Sequence, residues 1–297
     1  MIMDLLGRSP GESASGTVID RWGGVGAAAR GSRAAALDAF LAPLLPPAEG
    51  VALVAVGGLG RREQAPFSDV DLMLVHRDGA GVADVAERLW YPIWDARLRL
   101  DHSVRTVPEA LLAARDDPRV ALGLLDTRHL AGDARLAAGL ACAAADQWRR
   151  RAAATLPWLY ARTRQRHAVH GDLSRCHADL TPVIDLKASA GGLRDVVALR
   201  GVGYAAAAGA ARQRQDRSDV LPVAVRAAHG RLLDVRDALH LSVGRRTDRL
   251  SVPQIDEVAA RLGLVDRDAL LIRVATDART VADALERAWA TSGRCGT

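Results

Sequence analysis

The stretch Gly57-Gly58-Leu59-Gly60-Arg61-Arg62-Glu63-Gln64-Ala65-Pro66-Phe67-Ser68-Asp69-Val70-Asp71-Leu72-Met73-Leu74-Val75 constrains this chain most. It sets glycines, a basic turn and two alternating carboxylates between two apolar runs. Val51 to Val56 is short, valine-rich and bounded by glycine, which predicts a buried strand, and Val70 to Val75 predicts another. Asp69 and Asp71 then start the second strand, and side chains two apart on a strand share a face. Two carboxylates converging on a strand edge can hold divalent cations. Mg²⁺ takes oxygen ligands and completes its shell with substrate phosphates, and a metal pair roughly 3.5–4 Å apart clamps both oxygens of an in-line displacement. Gly57 and Gly58 let backbone N–H groups approach a triphosphate, and a helix expected to begin near Gly60 aims its positive end at the same charge. A reading without metal stays open, since Arg61 or Arg62 can pair with these carboxylates and offset their desolvation.

The rest of the chain is organised around this stretch. Met1 to Gly16 shows no periodicity and reads as a disordered arm. From Thr17 to Leu45 apolar residues recur at helical spacing, giving two helices that end at Pro46-Pro47. After the Asp-Val-Asp strand come a turn at His76-Arg77-Asp78-Gly79, an amphipathic helix through Val82, Val85, Leu89, Ile93 and Trp94, and a third strand, Leu98 to Arg105. If that strand lies beside the second, Asp101 supplies a third carboxylate; Asp95, at the end of the preceding helix, competes for the role. His102 reads as a packed or hydrogen-bonded histidine. Thr106, Pro108 and Glu109 form a helix start, and from there the chain is expected to be helical to its end. The expected helices cover 108–115, 119–126, 134–166, 192–208, 220–243, 253–262 and 266–289, with an exposed loop from Gly209 to Asp219. Arg149-Arg150-Arg151 is a solvated helix face. The segment His170 to Asp195 lacks periodicity yet holds Lys187, Gly191, Gly192 and Arg194. Irregular segments on rigid scaffolds are where binding residues sit, so backbone amides at Gly191-Gly192 and charge at Lys187 and Arg194 are expected on the phosphates of a nucleotide. The alternative is a plain helix start in which Arg194 pairs with Asp195.

A chain of 297 residues suits two domains of about 150 residues each. The expected layout is the arm at 1–16, a first domain at 17–130 and a helical domain at 131–297. Lys187 is the single lysine; the other 39 of 40 basic residues are arginine, a bias that fits GC-rich coding. A net charge of +5, not gathered in one run, argues for a solvated arginine-rich surface and against nucleic acid as the partner. Cys142, Cys176 and Cys295 have no metal-type spacing and read as reduced cytosolic thiols. No 18-residue apolar segment or export signal is present, so a soluble cytoplasmic protein is expected, away from membranes.

Gly57-Gly58, ten intervening residues, then Asp69-Val70-Asp71 resembles the signature of the DNA polymerase beta type nucleotidyltransferase superfamily. The finer match runs through Gly-Gly-Leu-Gly-Arg-Arg-Glu, Pro66 to Leu72, His102-Ser103-Val104-Arg105-Thr106 and Gly191-Gly192-Leu193-Arg194-Asp195. It continues in Arg236-Asp237-Ala238-Leu239-His240, Arg245, Asp248-Arg249-Leu250 and Gln254. Together these are similar to the amino-terminal part of the PII uridylyltransferases. The resemblance implies an α+β fold, a small polymerase-beta-type mixed sheet with flanking helices followed by an all-α domain. It implies transfer of UMP or AMP from UTP or ATP to a tyrosine hydroxyl of the PII nitrogen-signalling protein. Asp69 and Asp71 would hold two Mg²⁺, with Mn²⁺ as a substitute. Asp101 would ligate one of them and orient the acceptor, although many uridylyltransferases carry glycine there. Gly57, Gly58 and Ser68 would cradle the β- and γ-phosphates, and Arg61 would support the turn or the leaving pyrophosphate. Lys187 and Arg194 would bind the nucleotide.

This sequence departs from the family pattern in two places. Asp185 stands where the family has Asn, and Ala188-Ser189 replaces an acid and a glycine. Uridylyltransferases are much longer, carrying a phosphohydrolase domain with a His-Asp pair and two ligand-sensing domains. No His-Asp dipeptide occurs here. A truncated piece or a natural short form without uridylyl-removing or glutamine-sensing activity is therefore expected. Arginine-rich relatives of actinobacterial type are associated with adenylylation, which favours ATP. Arg245 and Arg249 are candidates for nucleotide or protein contact, with pairing to Asp237 or Asp248 as the alternative. Two further readings stay open. One is a transferase of the same superfamily with another protein or a small hydroxylated acceptor, and the other is a non-catalytic basic regulator.

Overall fold

A computed structural model of the chain describes residues 22–47, 49–78, 81–177, 183–206 and 220–292. The expected arm at 1–16 and the expected loop at 209–219 lie outside the described residues. The architecture is mixed α+β with a small mixed sheet, and two compact units divide the chain as Met1–Ala144 and Ala145–Thr297.

In the first unit, helix α1 (Ala27–Leu41) runs into a short 3₁₀ turn (Ala42–Leu44) and then strand β1 (Val51–Ala55). A single helical turn, α2 (Gly57–Gly60), leads by way of the loop to β2 (Val70–His76), α3 (Val82–Asp95) and β3 (Leu100–Thr106). Helices α4 (Val107–Asp116) and α5 (Pro118–Leu124) precede β4 (Arg128–Gly132). The strand order is β3-β2-β1-β4; β1 is antiparallel to both β2 and β4, whereas β2 and β3 are parallel. Parallel pairing requires a crossover, and α3 is that crossover. All five residues of β1 are buried, as its unbroken apolar sequence requires of a central strand covered on both faces. Val70, Leu72 and Leu74 of β2 pack with Leu89, Trp90 and Ile93 of α3 and Leu37, Phe40 and Leu41 of α1. Alternation therefore turns Asp71 to the opposite face of the sheet. The end of β3 is fixed by a capping box. The Glu109 N–H donates to Thr106 Oγ1 at 3.3 Å and the Thr106 N–H to Glu109 Oε2 at 2.8 Å, a cap worth about 1 kcal/mol.

Helix α6 (Ala134–His170) carries the chain across the division between the units. Arg150 and Arg151 on it are exposed. In the second unit a 3₁₀ turn (Leu173–Arg175), β5 (Val183–Asp185) and α7 (Leu193–Ala206) are followed by α8 (Val223–Val243), β6 (Arg249–Ser251), α9 (Val252–Arg261) and α10 (Arg267–Thr291). Leu232, Val235 and Leu239 of α8 are buried, as are Val274, Ala278, Val281 and Trp289 of α10, as expected for helices packed on one another.

Three expectations are corrected. The helix expected to begin near Gly60 is instead one turn that ends there, because Arg62 takes a left-handed φ of 60° and turns the chain away. The chain is not helical throughout after Thr106: β4 completes the first sheet. The second unit is not purely α, since β5 and β6 pair antiparallel, Val183 opposite Ser251 and Asp185 opposite Arg249.

Candidate active site

The β2–β3 register brings the first pair of carboxylates together. Asp71 stands opposite Asp101, and residues opposite one another in a sheet extend to the same face. Asp69 lies two residues before Asp71, just outside the strand. The glycine turn borders this edge: a side chain added at Gly57 would meet Asp71 Oδ2 at 3.6 Å, and the Val56 N–H donates to the Asp71 carbonyl at 3.1 Å. Gly57 also has a φ of +54°, a conformation that glycine adopts without strain. The amides at the head of α2 have no intrahelical partner, as at any helix start.

The expected residues are not all gathered. Asp69 Oδ1 accepts from Arg99 Nε at 3.0 Å, and among the described residues no three acid, histidine or cysteine side chains are grouped closely enough to hold a metal. The donor chemistry still suits Mg²⁺ or Mn²⁺, which take carboxylate oxygens. Arg99 is 72% exposed, and an exposed ion pair is worth about 0–1 kcal/mol, so Asp69 can leave it at little cost. Asp95 is exposed at the end of α3, the helix that covers the Leu72 and Leu74 face. His102 rests against Trp90 and Trp94, with ring centroids 4.7 and 5.8 Å away.

Ser68 closes the loop: its N–H donates to the Ala65 carbonyl at 3.0 Å while its Oγ accepts from the Ala65 N–H at 3.2 Å. Arg61 is engaged within the unit. Its Nε donates to Glu63 at 2.7 Å and its NH1 to Asp126 at 2.5 Å, and although burial opposes it, these acids hold the guanidinium pKa above its ordinary value.

Two further arginines pin the same loop, and no feature of the sequence marked them. Buried Arg33 donates to the carbonyls of Gln64, Trp22 and Gly24, and Gln64 in turn donates to the Asp69 carbonyl at 2.8 Å. Arg128 forks onto Asp38 and also donates to the carbonyls of Leu59 and Gly60. These contacts satisfy the carbonyls that a one-turn helix leaves open at its end. Gly60 has no room for a side chain, since a Cβ there would lie 1.8 Å from the Asp126 carbonyl oxygen.

In the second unit, Gly191 and Gly192 serve packing. Gly191 has a φ of +77° and a Cβ on it would meet the Ala278 carbonyl at 2.4 Å. Its amide donates to Asp195 Oδ2 at 2.7 Å and that of Gly192 to the Ser189 carbonyl at 3.0 Å. The expectation that these amides reach a phosphate is therefore corrected, because both are spent inside the turn. Asp195 pairs with Arg166 and His167 and not with Arg194; burial raises its pKa, but the hydrogen bond with His167 and the charge of Arg166 outweigh it and hold it below the usual range. Arg194 is exposed and makes no ion pair among the described residues. Lys187 Nζ lies 3.7 Å from Asp248 Oδ2.

The chain is similar to proteins named for transferring and removing uridylyl groups. The chain is 48% identical over 247 residues to the bifunctional uridylyltransferase/uridylyl-removing enzyme of Streptomyces coelicolor, which covers 82% of this chain and 28% of that protein. Proteins of the same name from Mycobacterium tuberculosis strain H37Rv and from Corynebacterium glutamicum are 42% and 38% identical, over 79% and 86% of this chain and 28% and 34% of theirs. The chain thus spans about a third or less of the length of these relatives. Residues 159–289 match the model of the GlnD PII-uridylyltransferase family, and the chain belongs to that family. The expected preference for ATP finds no support, since these relatives are all named for uridylyl chemistry. Their name also joins removal to transfer, an activity that the reading of the sequence had set aside. No helix among the described residues is long and apolar enough to cross a membrane.

Proposed function

We propose that this chain is a metal-dependent nucleotidyltransferase of polymerase-beta type that moves UMP from UTP to a tyrosine hydroxyl of the PII protein. The observation that carries the reading is the Asp71–Asp101 register beside the Gly57 turn. Asp69, Asp71 and Asp101 would hold Mg²⁺, which when bound neutralises phosphate charge and polarises the reacting oxygens. Asp101 would accept the hydrogen bond of the acceptor hydroxyl and orient it. The amides at Gly57 and Gly58 and the Ser68 hydroxyl would donate to the phosphate oxygens, while Arg61, tied to Glu63 and Asp126, holds the turn in place. Lys187 and Arg194 are phosphate contacts by virtue of their charge. Positioning and fixed charge supply the rate, as they do for phosphoryl-type transfers in general.

The test is incubation with PII, Mg²⁺ and either UTP or ATP, followed by intact mass of the acceptor. Addition of UMP on tyrosine is expected. Addition of AMP would replace the donor, modification of another protein would replace the acceptor, and no adduct with either triphosphate would refute the reading.

A further inference from the structure

β3 is an edge of the sheet: β2 pairs with it on one side, and among the described residues no strand pairs with the other. At seven residues it is as long as β2 and longer than the five-residue β1 and β4, whereas edge strands are commonly kept short or covered. The hydrogen bonds fix which of its backbone groups face outward. The Val70 N–H donates to the Arg99 carbonyl at 2.7 Å, while the Asp71 carbonyl accepts from the Val56 N–H on the β1 side. In a parallel ladder the bonds run to every second residue. Asp101, Ser103 and Arg105 therefore serve β2, and Leu100, His102 and Val104 turn their N–H and C=O groups to the open side. The same alternation sorts the side chains. Asp101 shares a face with Asp71, while His102 lies on the other face against Trp94, which is 47% exposed and meets the exposed Tyr91 edge-on at 5.6 Å. Toward the end of the strand a groove of about 420 Å³ opens between β3 and α4, where exposed Val104 and Leu112 lie among Arg105, Glu109 and Asp116. Open backbone groups flanked by an aromatic ledge and a groove suit a partner that offers both main chain and alternating side chains, and that is an extended polypeptide.

We propose that the open edge of β3 docks an extended, tyrosine-bearing segment of the acceptor protein as an added strand, a docking that rests on the proposed function only for its tyrosine. Continuity with the carboxylates commits the edge to the acceptor, because Asp101 is itself a residue of β3. In an antiparallel addition, the residue opposite Asp101 falls in a non-hydrogen-bonded pair, where Cα atoms are about 4.5 Å apart and both side chains rise on one face. A tyrosine there stands on the face of Asp71 and Asp101, and its two neighbours fall on the side of the His102–Trp94 ledge.

Amide-resolved hydrogen exchange on the whole chain reads the docking apart from the transfer. In the chain alone, the amides of His102 and Val104 are expected to exchange fast and those of Ser103 and Arg105 slowly. With Mg²⁺, α,β-methylene-UTP to fill the site without transfer, and PII at about ten times its dissociation constant, His102 and Val104 are expected to slow about tenfold. Val104→Pro removes one outward donor, a change that edge strands tolerate, and Val104→Ala keeps it. With parent-like circular dichroism, Val104→Pro is expected to raise the KM for PII about tenfold, the value of one hydrogen bond, and to leave the KM for UTP within about twofold. Val104→Ala is expected to change neither. Transfer to PII with both amides unslowed, or a parent-like KM for PII in Val104→Pro, overturns the docking and leaves the proposed function standing. Slowing by PII without transfer from UTP refutes the proposed function and keeps the docking, and neither slowing nor transfer overturns both. Outward amides already slow in the chain alone also overturn the docking, and a dependence on chain concentration would give the edge to a second copy.

Discussion

Replacing Arg61 by Met removes the guanidinium that ties the glycine turn to Asp126, in the link between α5 and β4. The side chains of Arg61 and Asp126 are 14% and 4% exposed and meet at 2.5 Å, so the substitution takes from a buried carboxylate the guanidinium that offsets its charge. Breaking one side of a buried pair costs about 3–5 kcal/mol, against about 0–1 for an exposed pair. The higher range is expected here because the lost cation also served Glu63, 17% exposed, at 2.7 Å. Hydrogen exchange of peptides from residues 51–76, followed at increasing urea, reads the opening of this unit independently of the rest of the chain. The variant Arg61→Met/Asp126→Leu is expected to regain part of the loss, since the more deeply buried of the two carboxylates goes with the guanidinium while Glu63 stays. A single-substitution cost below about 1 kcal/mol, or a double variant no better than the single one, would refute the claim that a buried ion pair anchors the turn.

Asp71→Asn and Asp101→Asn are each expected to lower transfer by more than about a hundredfold with unchanged circular dichroism, because preorganised charge is lost while volume is kept; near-normal turnover in either variant removes that residue from the site. Gly60→Ala would set a methyl group 1.8 Å from the Asp126 carbonyl, and overpacking of this kind costs about 1–3 kcal/mol, to be read as a fall in melting temperature; a variant as stable as the parent contradicts the packing described. His240 is fully buried, and that burial, helped by the charge of Arg236, pushes its pKa down to about 3 from 6.5. Below pH 6.5 the unfolded chain binds a proton that the folded chain refuses until about pH 3, so stability falls as the pH drops through that window. Melting temperatures from pH 7 to pH 4 should therefore fall less steeply in His240→Gln than in the parent, and equal slopes would count against this account.

Local signals made most of the fold legible. The period of Leu89, Ile93 and their neighbours predicts α3 from 82 to 94, where Val82–Asp95 is found, and the Thr106 cap gives the start of α4 directly. Strand β4 was not legible, because Arg128-His129-Leu130-Ala131-Gly132 has no apolar alternation and takes its form from pairing with β1, with a register shift at Leu53/Val54. β5 and β6, of three residues each, are too short to leave a pattern. At the candidate site, the carboxylates could be read because their spacing is a local property. The buried arginines could not: Arg33 and Arg128 are two among 39 and are distinguished only by the carbonyls that they meet in the folded chain. Gly191 and Gly192 were misread for the same reason, as their amides are spent on Asp195 and Ser189, contacts that exist only once the turn has closed.

The sheet order also dictates when the first unit becomes safe from self-association during synthesis. β1 finds β2 after a short loop, but its other edge is covered only by β4, which emerges after α3, β3, α4 and α5 have been made. Until then the ribosome displays five consecutive apolar residues, Val51–Ala55, along an open sheet edge, the arrangement most prone to pairing with another nascent chain. A fragment cut at residue 130, where the sequence alone would place a boundary, severs β4 and keeps that edge exposed. One carried past Gly132 into the first turns of α6 covers it, with Asp133 accepting from the Gly50 amide to fasten the end.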